Sequence, residues 1–226
     1  MAWERFPRAP IAEALLDIPR PLPIREERVR WQGHILVGPA VVQQAVARGP
    51  DGVLFRSVDE RRIVQVRQDG YTFNWLKPHE TWEAFRDEAR THWERYREAF
   101  RPGAVTRLGL RYINRLELPL PSQDFREFVT TAPDIAPGLP QGLNTFFMRL
   151  EIPHGERHLL AIITETMQAP LDEGRRLPFI FDIDIVREGA LEPGAPVVWE
   201  AFEAMREYKN EIFFASMTSK AKDLFR

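Results

Sequence analysis

From Val29 to Val37 the chain alternates: Val29, Trp31, Ile35 and Val37 are apolar, and Arg28, Arg30, Gln32 and His34 fall between or beside them. That period of two predicts a half-buried strand. Ile11 to Ile18 predicts an earlier strand, although Ala12 to Leu16 could equally start a helix, and Pro19, Pro21 and Pro23 stop either. Gly38-Pro39 predicts a short helix with proline in its first turn, closed by Gly49 after Arg48. Val53 to Val58, Ile63 to Gln68 and Tyr71 to Leu76 predict three strands, with Asp69-Gly70 as a two-residue hairpin turn. The period then changes to that of a helix. Trp82, Phe85, Ala89, Trp93, Tyr96 and Phe100 form one apolar stripe from about Glu80 to Phe100.

The second half runs in the same order. Val105 to Leu118 predicts a long strand ending at Pro119. Ser122 is placed to cap a short helix through Phe125 and Phe128. Leu143 to Ile152 and His158 to Met167 predict a hairpin, Phe179 to Val186 a further strand, and about Val197 onward a long helix. A residue-level echo accompanies the order: Trp82-Glu83-Ala84-Phe85 opens one long helix and Trp199-Glu200-Ala201-Phe202 the other. Leu15-Leu16-Asp17-Ile18-Pro19 likewise echoes Arg115-Leu116-Glu117-Leu118-Pro119. The expected fold is therefore α+β: two tandem β-α-β(3-4)-α repeats, 1–102 and 103–226, fused into one compact unit. A curved, mainly antiparallel sheet would carry the long helices on one face.

That order of elements resembles the fold shared by the TATA-box-binding protein and the helix-grip ligand carriers. The resemblance covers element order and no motif, so it implies fold and no function. A second resemblance rests on residues: Pro10-Ile11-Ala12-Glu13-Ala14, Gly109-Leu110-Arg111-Tyr112-Ile113-Asn114-Arg115, and Lys209-Asn210-Glu211-Ile212-Phe213-Phe214. Together they look like a sporadically distributed family of uncharacterised bacterial proteins. This implies a bacterial origin and no particular reaction.

Composition narrows the function classes. The 226 residues carry 31 basic and 33 acidic side chains, a net charge of −2, and no cysteine. Thiol nucleophiles, disulfides and cysteine-ligated metals are excluded. Near-neutral charge argues against broad phosphate binding. Carboxylates at Glu13, Asp17, Asp182 and Asp184 on the predicted strands argue specifically against a DNA-binding saddle. No apolar run approaches the roughly 20 residues that span a bilayer, and the start of the chain lacks a signal-peptide core. A cytoplasmic protein is expected. There is no phosphate loop, dinucleotide fingerprint, nucleophile elbow or helical zinc motif. Neither a cofactor nor a catalytic residue is assigned.

The candidate chemistry lies in charged strand faces. One face of Val105 to Leu118 carries Arg107, Arg111, Ile113 and Arg115, and one face of Phe179 to Val186 carries Asp182 and Asp184. Cross-strand ion pairing is the simplest use of such faces. The functional alternative is a pocket where Arg111 and Arg115 bind an anion, braced by Asp182, Asp184 and Glu13. A helix-covered face with every arginine paired would remove that site. Lys209 joins the candidates because it falls on the apolar stripe of the last helix; either the helix breaks near Asn210 or the ammonium is held there. Under the Trp-Glu-Ala-Phe alignment it matches His92. His154-Gly155-Glu156-Arg157-His158 is a turn with too few ligands for zinc.

Three functions follow. The first is non-catalytic binding of a small, anionic molecule or a protein partner, a second copy of the chain included. The second is a metal-dependent enzyme using Glu13, Asp17, Asp182 or Asp184. The third is an accessory subunit that binds through an exposed patch at Phe213, Phe214, Leu224 and Phe225.

Overall fold

The computed structural model describes residues 22–37, 42–67, 69–77, 81–120, 124–143 and 145–224. The strand expected at Ile11 to Ile18, with Glu13 and Asp17, lies outside them. The fold is α+β, with two compact units, Met1–Pro102 and Gly103–Arg226.

The first unit holds a four-stranded antiparallel meander: β1 (Ile24–Val37), β2 (Val42–Arg56), β3 (Arg62–Arg67) and β4 (Gly70–Trp75). The short helix expected after Gly38-Pro39 is not formed. Its residues from Val42 belong to β2, which pairs with β1 from Ile24↔Arg56 to Val37↔Val42. A ladder of that length overrides the weak local preference of a Val/Gln/Ala segment. Gly52 allows β2 to pass β3 closely, since a Cβ there would lie 2.1 Å from the Val66 carbonyl oxygen.

Helix α1 (Trp82–Phe100) follows the sheet. The Thr81 hydroxyl accepts from the Ala84 N–H to start it, and Arg101, at φ 46°, ends it by donating its N–H to the Arg97 carbonyl. Its stripe of Phe85, Ala89, Trp93, Tyr96 and Phe100 packs on Val53, Phe55, Val64, Val66 and Phe73. The Tyr71 hydroxyl donates to the Ala89 carbonyl at 3.0 Å, which ties sheet to helix.

The second unit is ordered β5-β8-β7-β6, all antiparallel, from β5 (Val105–Pro119), β6 (Phe147–His154), β7 (Leu159–Met167) and β8 (Arg176–Leu191). The first strand thus pairs with the last. β8 is central and contributes four fully sealed residues, Phe179, Phe181, Ile183 and Ile185. Helix α2 (Val197–Ser216) buries Val198, Ala201, Met205 and Tyr208, the i, i+3, i+7 spacing of a single packed stripe. Its face is fixed by three contacts: Phe213 with Phe181, Lys209 with Tyr112, and Tyr208 with His154. Short helix α3 (Ser219–Asp223) is capped by the Thr218 hydroxyl. Asp124, with Ser122 outside the described residues, caps the 3-10 turn Phe125–Glu127.

The tail is stitched to that turn. Thr218 donates its N–H to the Phe128 carbonyl and its hydroxyl to the Glu127 carbonyl, while Lys220 pairs with the Glu127 carboxylate. Met217 and Ala221 are buried. Of the expected apolar patch, Phe214 and Leu224 are exposed, Phe213 packs inward, and Phe225 lies outside the described residues. No described helix is long and apolar enough to cross a membrane.

Candidate binding site

β5 and β8 pair in a register that sets Arg111 opposite Asp184 and Ile113 opposite Asp182. Opposite residues share a face, so the arginines and aspartates meet. Arg111 reaches diagonally and grips the Asp182 carboxylate with two groups, Nε at 2.9 Å from Oδ1 and Nη2 on Oδ2. Asp182 is 8 % exposed, whereas the Arg111 side chain is 58 % exposed. The guanidinium is therefore held from beneath by a buried acid while its outer edge faces outward. The Asp182 contact stabilises the Arg111 cation and raises its pKa.

The network continues along both strands. Arg107 lies 3.6 Å from Asp184, and Gly109, between Arg107 and Arg111, leaves the room: a Cβ there would sit 3.2 Å from the Arg107 Nη1. Burial pushes the Asp184 carboxyl up, and Arg107 and Arg111 oppose that rise. Arg115 donates to Glu117 at 2.9 Å and to Gln168 at 3.5 Å, and Arg176 bridges Glu117 to Asp172. Every arginine expected on this face is thus ion-paired. The face is nonetheless not the one under α2, because Tyr112, which contacts the helix through Lys209, points the opposite way along β5.

The structure consequently divides the predicted set. Arg111, Arg115, Asp182 and Asp184 share one face of the sheet. Lys209 lies on the other, and Glu13 lies outside the described residues. Helix α2 does not break at Asn210. Instead the Lys209 ammonium rests 4.1 Å from the Tyr112 ring centre, a cation–π contact in place of a carboxylate. Burial, with Arg206 nearby, lowers its pKa to about 8. Asn114, also on the helix side, donates to the Phe181 carbonyl at 2.9 Å and braces the ladder.

One buried acid was not singled out from the sequence. Glu165 on β7 is 1 % exposed, its Oε2 has no hydrogen-bond partner, and burial raises its pKa to about 7. The signal was parity: Glu165 alternates in step with Leu159, Ala161 and Ile163, the helix-side residues of its strand.

No group of three potential metal ligands converges among the described residues. Asp182 and Asp184 are occupied by arginines. In the His154–His158 turn, His154 meets the Tyr208 ring edge-on at 5.0 Å, and Arg157 pairs with Glu211 at 2.9 Å. This arrangement braces a hairpin against α2. No family model matches the chain, and neither a curated protein nor a solved structure is similar enough to be matched to it.

Proposed function

We propose that the protein is a non-catalytic binding module of the bacterial cytoplasm that takes a small anionic ligand on the arginine face of β5. The observation that carries this reading is the Arg111–Asp182 pair. A buried carboxylate fixes the guanidinium, and more than half of the arginine side chain is left accessible. Arg111 Nη1 and Arg115 Nη2 have no hydrogen-bond partner among the described residues, so donors remain for an incoming carboxylate or phosphate. Arginines at every fourth position of a strand stand about 13 Å apart, so one small anion would engage one or two of them. The acids woven between them keep the local field near neutral. That favours short-range recognition over long-range steering.

Native mass spectrometry of protein purified from its own host tests whether a molecule is bound. Calorimetric titration with inorganic phosphate and with succinate then tests the site. Saturable binding is expected for the wild type. It should be lost in the double variant Arg111→Gln/Asp182→Asn, which removes the pair without stranding a buried charge, and weakened in Arg115→Gln. Absence of both a co-purified molecule and saturable anion binding would overturn the reading.

A further inference from the structure

Strand β6 ends the second sheet. β7 bonds one side of it, and no described strand bonds the other. Such an edge presents a row of unpaired N–H and C=O groups. Its side chains are exposed as well: Phe147 is 70 % and Ile152 41 % exposed, and the Arg149 and Glu151 side chains are about half exposed.

We infer that β6 is a self-pairing edge, through which two copies of this chain join antiparallel in the register centred on Leu150. Two-fold symmetry then sets Arg149 opposite the partner's Glu151 twice. Met148 faces the partner's Ile152, Leu150 faces its own counterpart, and Phe147 faces the partner's Pro153. All of these matches fall on correct faces: Met148, Leu150 and Ile152 share the helix side with Ile163 and Ala161, and Phe147, Arg149 and Glu151 share the other. The register is specific. Centring one step earlier puts Arg149 against itself, and one step later puts Glu151 against itself. Centring between residues would oppose side chains of different faces.

The proline is tolerated because it falls at the end of the ladder, where at most one bond per copy is missing. The existing pair within the strand, Arg149 to Glu151 at 2.7 Å, puts both side chains on one face of it, with each about half exposed. Exposed ion pairs add little affinity, so the charges select the register while backbone bonds and apolar contacts hold it. A contact of one short strand per copy is smaller than a standard interface, and the dimer belongs in roughly the micromolar range.

Sedimentation equilibrium of the full chain over a concentration series tests this. The wild type is expected to dimerise, and Arg149→Glu and Glu151→Arg are each expected to weaken the dimer tenfold or more. Mixing these two variants is the deciding arm. One chain then carries two acids on β6 and the other two bases, so heterodimers should recover near wild-type affinity while the pair within each strand stays broken. In parallel, amide protection over Phe147–Pro153 should rise with wild-type concentration. A chain that stays monomeric, a mixture that associates no better than either variant alone, or edge amides insensitive to concentration would each overturn the proposal.

Discussion

Counted from their Trp-Glu-Ala-Phe openings, the two long helices place different titratable groups at the same step, His92 on α1 and Lys209 on α2. His92 is 5 % exposed, faces the Phe73 ring at 5.6 Å between centres, and offers both ring nitrogens no hydrogen bond. Its closest acid, the Glu88 carboxylate, stands 3.7 Å away. Burial, assisted by Arg95, lowers its pKa to about 4. Lys209 instead keeps its charge over a single ring at the rim. The most deeply buried ionisable group among the described residues of the second unit is an acid, Glu165. One core therefore holds a base neutral, and the other holds an acid, set across from Phe181, whose charged form burial disfavours.

The consequence is opposite pH dependence. For His92 the folded pKa is depressed, so the folded state binds fewer protons, and stability is lost as pH falls from the usual histidine range towards about 4. For Glu165 the folded pKa is raised, so the folded state binds more protons, and stability is lost as pH rises from the usual carboxylate range to about 7.

The largest effects should come from the cores themselves. Phe181→Ala, at a fully sealed site, is expected to cost the second unit about 4 kcal/mol, and Phe73→Ala, at the rim of its core, the first unit about 3 kcal/mol. Denaturant unfolding followed by hydrogen exchange in each unit would separate them. Equal losses in both units from either variant would show that the units do not have independent cores.

Next comes acidification. From pH 7 to pH 5 the first unit should lose, and the second gain, on the order of 2 kcal/mol. Exchange measured at the two pH values, with intrinsic rates corrected, reads both. His92→Gln should remove the first change and Glu165→Gln the second. A common direction in both units would break the comparison.

Ion pairs should matter less. Arg111→Gln strands the buried Asp182 and is expected to cost the second unit about 1 to 2 kcal/mol, with Asp182→Asn restoring part of it. The first unit's counterpart is Arg62, which holds Glu88 at 2.9 Å and lies over the Trp75 ring. Arg62→Gln should cost about 1 kcal/mol. It should also free Glu88 to raise the His92 pKa, visible in an NMR titration. Arg115→Gln, on an exposed pair, should stay within about 0.5 kcal/mol by thermal melting; a larger loss would mean its contact with Glu117 is structural.

Much of this was legible in the sequence where periodicity was unambiguous. The α1 stripe and the Trp-x-x-Phe openings of both long helices stand where they were expected, with Trp82–Phe85 and Trp199–Phe202 forming matching ring pairs, and β3 and β4 form the expected hairpin, but Gly70 pairs with Arg67 and belongs to β4 rather than to the turn. The β5 alternation also separated Arg111 and Arg115 from Tyr112 and Asn114 correctly. The segment after Gly38-Pro39 was misread because Val42 to Val46 suits either period, and only a partner strand decides between them. Lys209 was ambiguous for a related reason: a helix wheel places it on the apolar stripe, but says nothing of the ring it meets.

The sequence alone determined the parity of β5 and β8 and the stripe of α1, because those depend on chemistry two to four residues apart. Only the tertiary structure decided which parity faces a helix. It set Glu165 inside and Arg111 outside, brought Asp182 to Arg111 across 71 positions, and left β6 as an edge. Those outcomes depend on strand order, which no local period encodes. Here β5 lies beside β8 rather than beside the next strand in the chain.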